Sequence, residues 1–199
     1  MNTSTTWFTL ESVKVITETI KFLASVLAPL LAGYFGIKYG LKQIKVQKRI
    51  DLIETQLNKF YSPLLGLHKE ISTKSKLRVK IEQIGNETWI EECKSGKFPD
   101  SSPIHKEIDY NNKQLRDDFI PQYNKMLEIF RESYWLAEPE TREFYPQLVE
   151  FVEIWNRHFG GGFPPFVAHK ITHREEDLKP FYLELEKRTD LLRKELLKI

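Results

Sequence analysis

The sequence predicts an all-α chain: a single N-terminal transmembrane helix followed by a cytoplasmic antiparallel helical bundle. Three observations carry this. Sixteen residues from Phe22 to Ile37 contain no charge. The apolar residues after them recur at the 3.6-residue period of a helix. The two-residue alternation of a strand is nearly absent, with only a loose trace over residues 74–81.

The uncharged segment, FLASVLAPLLAGYFGI, is bounded by Lys21 and Lys38. At 1.5 Å per residue it covers about 24 Å, and flanking lysines extend such a span by raising their ammonium groups to the interface. Tyr34 and Tyr39 fall where an interface favours aromatic rings, and Trp7 and Phe8 would anchor the other side. Lys14 and Lys21 precede the segment; Lys38, Lys42, Lys45, Lys48 and Arg49 follow it. That asymmetry puts the larger part inside the cell. The predicted division is an extracytoplasmic tail (1–14), a transmembrane helix (15–41) and a cytoplasmic helical domain (42–199). Residues 1–13 hold no Lys or Arg, which argues against a cleaved signal peptide.

Within the span, Ala24, Ala28, Ala32, Gly36 and Gly40 recur every fourth residue, and Ser25, Pro29 and Gly33 form a second small row. Residues four apart stack on a helix, and in a bilayer such ridges let backbones approach closely. One span per chain cannot enclose a pore, so these positions predict a homo-oligomer in the lipid bilayer, with Ser25 and Pro29 toward its axis.

Beyond the span, Ile50, Ile53, Leu57, Phe60, Leu64 and Ile71 form an apolar face, with a kink or boundary expected at Ser62-Pro63 and an end at Gly85-Asn86. Residues 93–103 read as a loop. A second helix covers about 104–136 through Leu115, Phe119, Tyr123, Met126, Phe130 and Tyr134, with Pro121 a candidate break. A third, from 139 or 141 to 159, presents Tyr145, Leu148, Val152 and Trp155. Gly160–Pro165 turns the chain, and a last helix over 175–197 carries Leu178, Tyr182, Leu185, Leu192 and Leu196.

Composition narrows the chemistry. The 199 residues hold 30 Lys and Arg against 28 Asp and Glu, a net +2, which excludes binding nucleic acid by bulk charge alone. Mean hydropathy is −0.43, an average of two unlike parts. One cysteine, Cys93, excludes an internal disulfide and suits a reducing compartment. No phosphate-binding glycine loop, G-x-S-x-G or H-E-x-x-H is present, so no catalytic residue, cofactor or metal is expected. His169 and His173 have the spacing of a ligand pair but no third ligand nearby. Glu138, Glu140, Glu175, Glu176 and Asp177 read as helix first-turn residues. Two basic groups remain as candidate binders of a nucleotide or single-stranded nucleic acid: Lys74, Lys76, Arg78 and Lys80, and the aromatic-flanked Arg157 and His158. A solvated helix face and a helix C-terminal charge complement are the plainer explanations of these groups.

The N-terminal span, the basic exit KQIKVQKRI and the helix QLNKFYSPLLGLHKEI resemble small bacterial membrane-pore effectors of phage-defence systems, over roughly residues 22–71. Two such families are the channel effector of Hailong systems and the membrane-pore accessory protein of type VI-B CRISPR nucleases. The resemblance implies a pore or ion channel in the bacterial inner membrane, gated by a signal from a partner enzyme of the same defence system. The CRISPR accessory family is described as a divergent HEPN-type fold, whose ribonuclease motif sets His four to six residues beyond Arg. This chain lacks that spacing, since Arg157 directly precedes His158. The expected function is therefore a non-enzymatic membrane effector. The alternatives are a membrane-tethered adaptor and a divergent HEPN-like nuclease.

Overall fold

The computed structural model describes residues 10–96, 100–168, 170–171 and 174–198. Among these every regular element is helical and no strand occurs. The chain divides into two units, Met1–Asp51 and Leu52–Ile199, with the division falling inside helix α1 (Leu10–Gln56). The predicted boundary at 41/42 marks a change of polarity, whereas 51/52 marks where packing begins.

In the first unit every side chain from Phe22 to Ile37 is exposed. An 18-residue stretch here has mean hydropathy 1.7, and none of it is buried within the chain. This is one helix long and apolar enough to cross a membrane. Three of its hydroxyls are satisfied locally. Thr17 and Thr19 donate to the carbonyls of Val13 and Val15, and Ser25 donates to Phe22 O at 2.7 Å. Such back-bonding lets hydroxyls reside in an apolar medium without an unmet donor.

In the second unit α2 (Ser62–Lys94), α3 (Ser102–Gln114), α4 (Ile120–Glu132), α5 (Pro139–Arg142), α6 (Tyr145–Phe159) and α8 (Lys179–Leu196) each carry Pro at the first or second position. Proline suits these positions because its missing N–H has no intrahelical partner there. A short helix, α7, spans Pro165–Ala168. Two prolines do more than start a helix. Ahead of Pro63 and Pro121 the chain stays helical but widens into five-residue π turns, Leu57–Tyr61 and Leu115–Phe119, closed by Ser62 N–H to Leu57 O and Ile120 N–H to Leu115 O. A proline ring clashes with the carbonyl four residues back, and the wider turn moves that carbonyl aside. The expected kink at Ser62-Pro63 and break at Pro121 are thus π turns. The expected end at Gly85-Asn86 does not occur either, because α2 continues to Lys94. Asn111 donates to Glu82 and Glu107 lies against Gly85, so neighbouring α3 supports the helix across its weak point.

The buried faces follow the predicted period. Ile53, Leu57, Phe60, Leu64 and Ile71 meet Phe119, Tyr123, Met126 and Phe130, with Leu148 and Val152 of α6 and Leu178, Tyr182, Leu185 and Leu192 closing the core. Phe130 is its centre, with ring centroids of Phe60, Tyr145 and Phe181 at 5.0, 5.1 and 5.8 Å.

A polar clasp locks the bend after α4. Gln56 Nε2 donates to Leu136 O at 2.9 Å, and the Glu138 N–H donates to Tyr61 Oη at 3.0 Å. Tyr61 Oη also bonds Thr141 Oγ1 at 3.2 Å, and both side chains are fully buried. Replacing Tyr61 with Phe keeps the ring but strands the Thr141 hydroxyl. Urea unfolding of the Tyr61→Phe variant should show a loss of about 1–2 kcal/mol, larger than for Tyr61→Phe made in a Thr141→Val background.

Candidate functional site

The span presents its small residues outward with nothing against them. A Cβ built on Gly33, Gly36 or Gly40 would meet no atom within 4 Å. Residues four apart advance about 40° around a helix, so the row from Ala24 to Gly40 winds through about 160° instead of running straight. A partner helix following such a row crosses at an angle, the geometry of close right-handed contacts between spans. Pro29 lies inside the helix. Its missing N–H leaves the Ser25 carbonyl without its usual donor, so a hydroxyl and a bare carbonyl coincide on one residue at mid-span. Ala24, Ser25, Ala28, Pro29, Ala32, Gly36 and Gly40 thus form one continuous, unfilled, slightly polar surface.

The predicted basic group on α2 does not form one patch. Residues two apart on a helix point about 200° from each other, so Lys74 and Arg78 share one side and Lys76 and Lys80 the other. Lys74 Nζ is held by Asp118 at 2.8 Å and Glu70 at 2.7 Å. Those partners raise the lysine's pKa, and Lys74 and Gln122 hold the Asp118 carboxyl below its ordinary value. Arg78 faces Glu82 at 3.9 Å, with its Nε enclosed and lacking a hydrogen-bond partner. Lys76 and Lys80 are exposed and make no ion pair among the described residues.

The second basic group is more coherent. Trp155 and Phe159 stack with centroids 5.7 Å apart, and the exposed His158 packs edge-on to both. Arg157 is exposed and bound to Glu153 at 2.6 Å. The glycines fix this end of α6. Gly161, at φ +68°, sends its N–H to His158 O, and the Gly162 N–H reaches Arg157 O at 2.6 Å. This is the Schellman closure, in which glycine alone takes the left-handed position without strain. The turn is accordingly a fixed cap.

The acidic runs behave as first-turn residues, with Glu140 opening α5 and Glu175, Glu176 and Asp177 forming the 3₁₀ turn before α8. His169 and His173 lie outside the described residues, as do Trp7 and Phe8. Among the described residues no three metal-ligating side chains converge. Cys93 is exposed at the end of α2.

One buried polar group escaped the sequence reading. His68 stacks on Tyr182 at 3.5 Å and 15°, and Tyr123 and Glu175 adjoin the same tyrosine. Burial pushes the Glu175 carboxyl and both phenols up and the His68 imidazole down. The helical period does place it inward, since His68 lies four residues beyond Leu64 and three before Ile71, but an imidazole does not register in an apolar pattern.

Compared with protein-family models, curated proteins and solved structures, the chain matches none.

The folded chain keeps His68 neutral where the unfolded chain would protonate it. The His68 contribution to stability is therefore fully present above the ordinary imidazole value of about 6.5 and is lost as pH falls below it, while the raised Glu175 carboxyl contributes with the opposite sign. Urea unfolding between pH 5 and 7 should show the His68 loss as the difference in slope between the native chain and His68→Gln.

Proposed function

We propose that this protein is an oligomeric membrane effector of antiviral (phage) defence. In this reading helix α1 crosses the bacterial inner membrane once, and residues 42–199 form an antiparallel helical bundle in the cytoplasm. Copies associate through the small-residue surface and form a pore or ion channel. The observation that carries this is the unfilled row of Ala24, Ala28, Ala32, Gly36 and Gly40 along an apolar stretch of helix that is nowhere buried within the chain. Apolar helices gain nothing from meeting in lipid unless their backbones fit closely, and this row permits that fit. The freed Ser25 carbonyl beside Pro29 supplies a polar point that is costly against lipid and favourable toward a watery axis.

A nucleotide or single-stranded nucleic acid, supplied by a partner enzyme of the same defence system, is the proposed trigger. Support for it comes from the end of α6, where stacked aromatics flank Arg157 and His158. Bases stack on such rings while phosphates meet the cations. Lys74, Arg78 and Arg157 each already face a carboxylate, so a phosphate has to displace Asp118, Glu82 or Glu153 to reach them. The competing reading, a tethered adaptor, needs only the anchor and is indifferent to the small row.

Two measurements separate these readings. Ala28→Leu with Gly36→Leu should abolish assemblies larger than a dimer in bilayer nanodiscs and abolish toxicity on expression. A potential-sensitive dye should report collapse of the membrane potential with the native chain alone. An intact potential on triggered overexpression removes the channel. For the trigger, Arg157→Glu should weaken binding of a fluorescent oligothymidylate and lower its salt slope by about 1. An unchanged slope removes that residue from the account.

A further inference from the structure

The outer part of α2 and all of α3 form an arm that the core does not reach. From Ser72 to Asp118 no described side chain is buried. The two helices run back along each other, with Lys74 meeting Asp118, Glu82 meeting Asn111 and Gly85 meeting Glu107. Even their shared seam is incomplete, since Glu107 Oε1 of α3 is enclosed without a hydrogen-bond partner. On α2, Leu77, Ile81 and Ile84 are each about half exposed, at 58, 50 and 53%. Their i, i+4, i+7 spacing puts them in one stripe, which Thr88 continues. Two-helix arms with an open apolar stripe gain by acquiring a third and fourth helix.

Charge along the arm specifies the partner. The inner half of α2 carries Lys74, Lys76, Arg78 and Lys80; the outer half carries Glu82, Glu87, Glu91 and Glu92. One flank of the stripe is taken by the Leu115–Phe119 turn, through Lys74, and by α3, through Gly85. The free flank holds Lys76 and Lys80 followed by Glu87 and Glu91, all exposed. Lys76, Lys80 and Glu91 make no ion pair among the described residues, and Glu87 accepts only the Gln83 amide, at 2.8 Å. A helix that is basic first and acidic second is complementary to itself when reversed.

We propose that α2 pairs with α2 of a second copy of this chain, antiparallel about a two-fold axis near Glu82–Gln83. A two-fold brings the same surface of both copies together, free flank to free flank. Leu77 then lies opposite Thr88, and Ile81 opposite Ile84. On the flank Lys76 meets Glu91 and Lys80 meets Glu87, each twice. Parallel pairing would instead set lysine against lysine and glutamate against glutamate. The α3 helices of both copies fall on one side, and the two arms close into four helices. This contact lies wholly within residues 52–199 and does not depend on the pore reading.

The test uses the full-length chain in detergent micelles, with Cys93→Ser to remove the native thiol. Leu77→Cys and Thr88→Cys are made in separate chains and mixed under mild oxidation. The mixture should give the mixed disulfide, and neither variant alone should cross-link. Positions 77 and 88 are about 16 Å apart along a helix, beyond the roughly 7 Å that a disulfide spans between Cα atoms. Lys76→Glu with Lys80→Glu should lower the mixed product about tenfold, as four attractive pairs become repulsive. Adding Glu87→Lys and Glu91→Lys should restore it, which also shows that the reversed chains fold. The product should persist when Ala28→Leu and Gly36→Leu disrupt the span contact, which separates this proposal from the pore. Cross-linking of each variant with itself overturns the antiparallel pairing. So does absence of the mixed product, or failure of the four-residue swap to restore it. If the lysine reversals weaken oligothymidylate binding while leaving the cross-link unchanged, the surface binds nucleic acid and the self-pairing is wrong.

Discussion

The ring of Phe130 is in contact with Phe60, Tyr134, Tyr145 and Phe181, which belong to four different segments of the second unit. Among the described residues no other side chain joins the π turn before α2 to α4, α6 and α8 at once through its ring. Edge-to-face pairs contribute about 0.5–1.5 kcal/mol each beyond simple burial, and their geometry restricts how the helices rotate. The Tyr61–Thr141–Glu138 clasp is then possible because Phe60, its neighbour, is already seated. The orientation of α2, and with it the direction of the arm, follows from that seating.

Much of this was legible in the sequence because buried helix faces repeat. Leu57, Phe60, Leu64 and Ile71, and Phe119, Tyr123, Met126 and Phe130, were identified from spacing alone and are buried. Tyr61 and Phe181 were not, since they sit one residue away from face positions and are drawn inward by the clasp and by Phe130. Prolines were legible as helix starts. Their accommodation was not, because a π turn keeps the hydrogen bonding continuous where propensity predicts a break. Gly85 misled for a related reason: a neighbouring helix outweighs the roughly 1 kcal/mol that a helical glycine costs.

The basic group on α2 illustrates a different limit. Four cations within seven residues look like a cluster when read along a line, but their spacing of two splits them between opposite sides of a helix. Packing then decides which remain available, and Asp118, remote in sequence, removes Lys74. The aromatic residues at the end of α6 lie together because they are contiguous over a single turn. The small residues of α1 keep their spacing because a spacing of four is local on a helix.

The absence of buried side chains among the described residues between Ser72 and Asp118 also bears on how the second unit opens. Backbone amides exchange with solvent through local unfolding, whose free energy reflects the buried contacts that must be broken. Around Phe130 that free energy approaches the global value. Along the arm only helical hydrogen bonds and a thin seam oppose opening, so α3 and the outer turns of α2 form a separate, weaker cooperative unit. A contact that covers the arm is therefore coupled to its folding, and its occupancy is registered as slowed exchange over some forty residues with little change at the core.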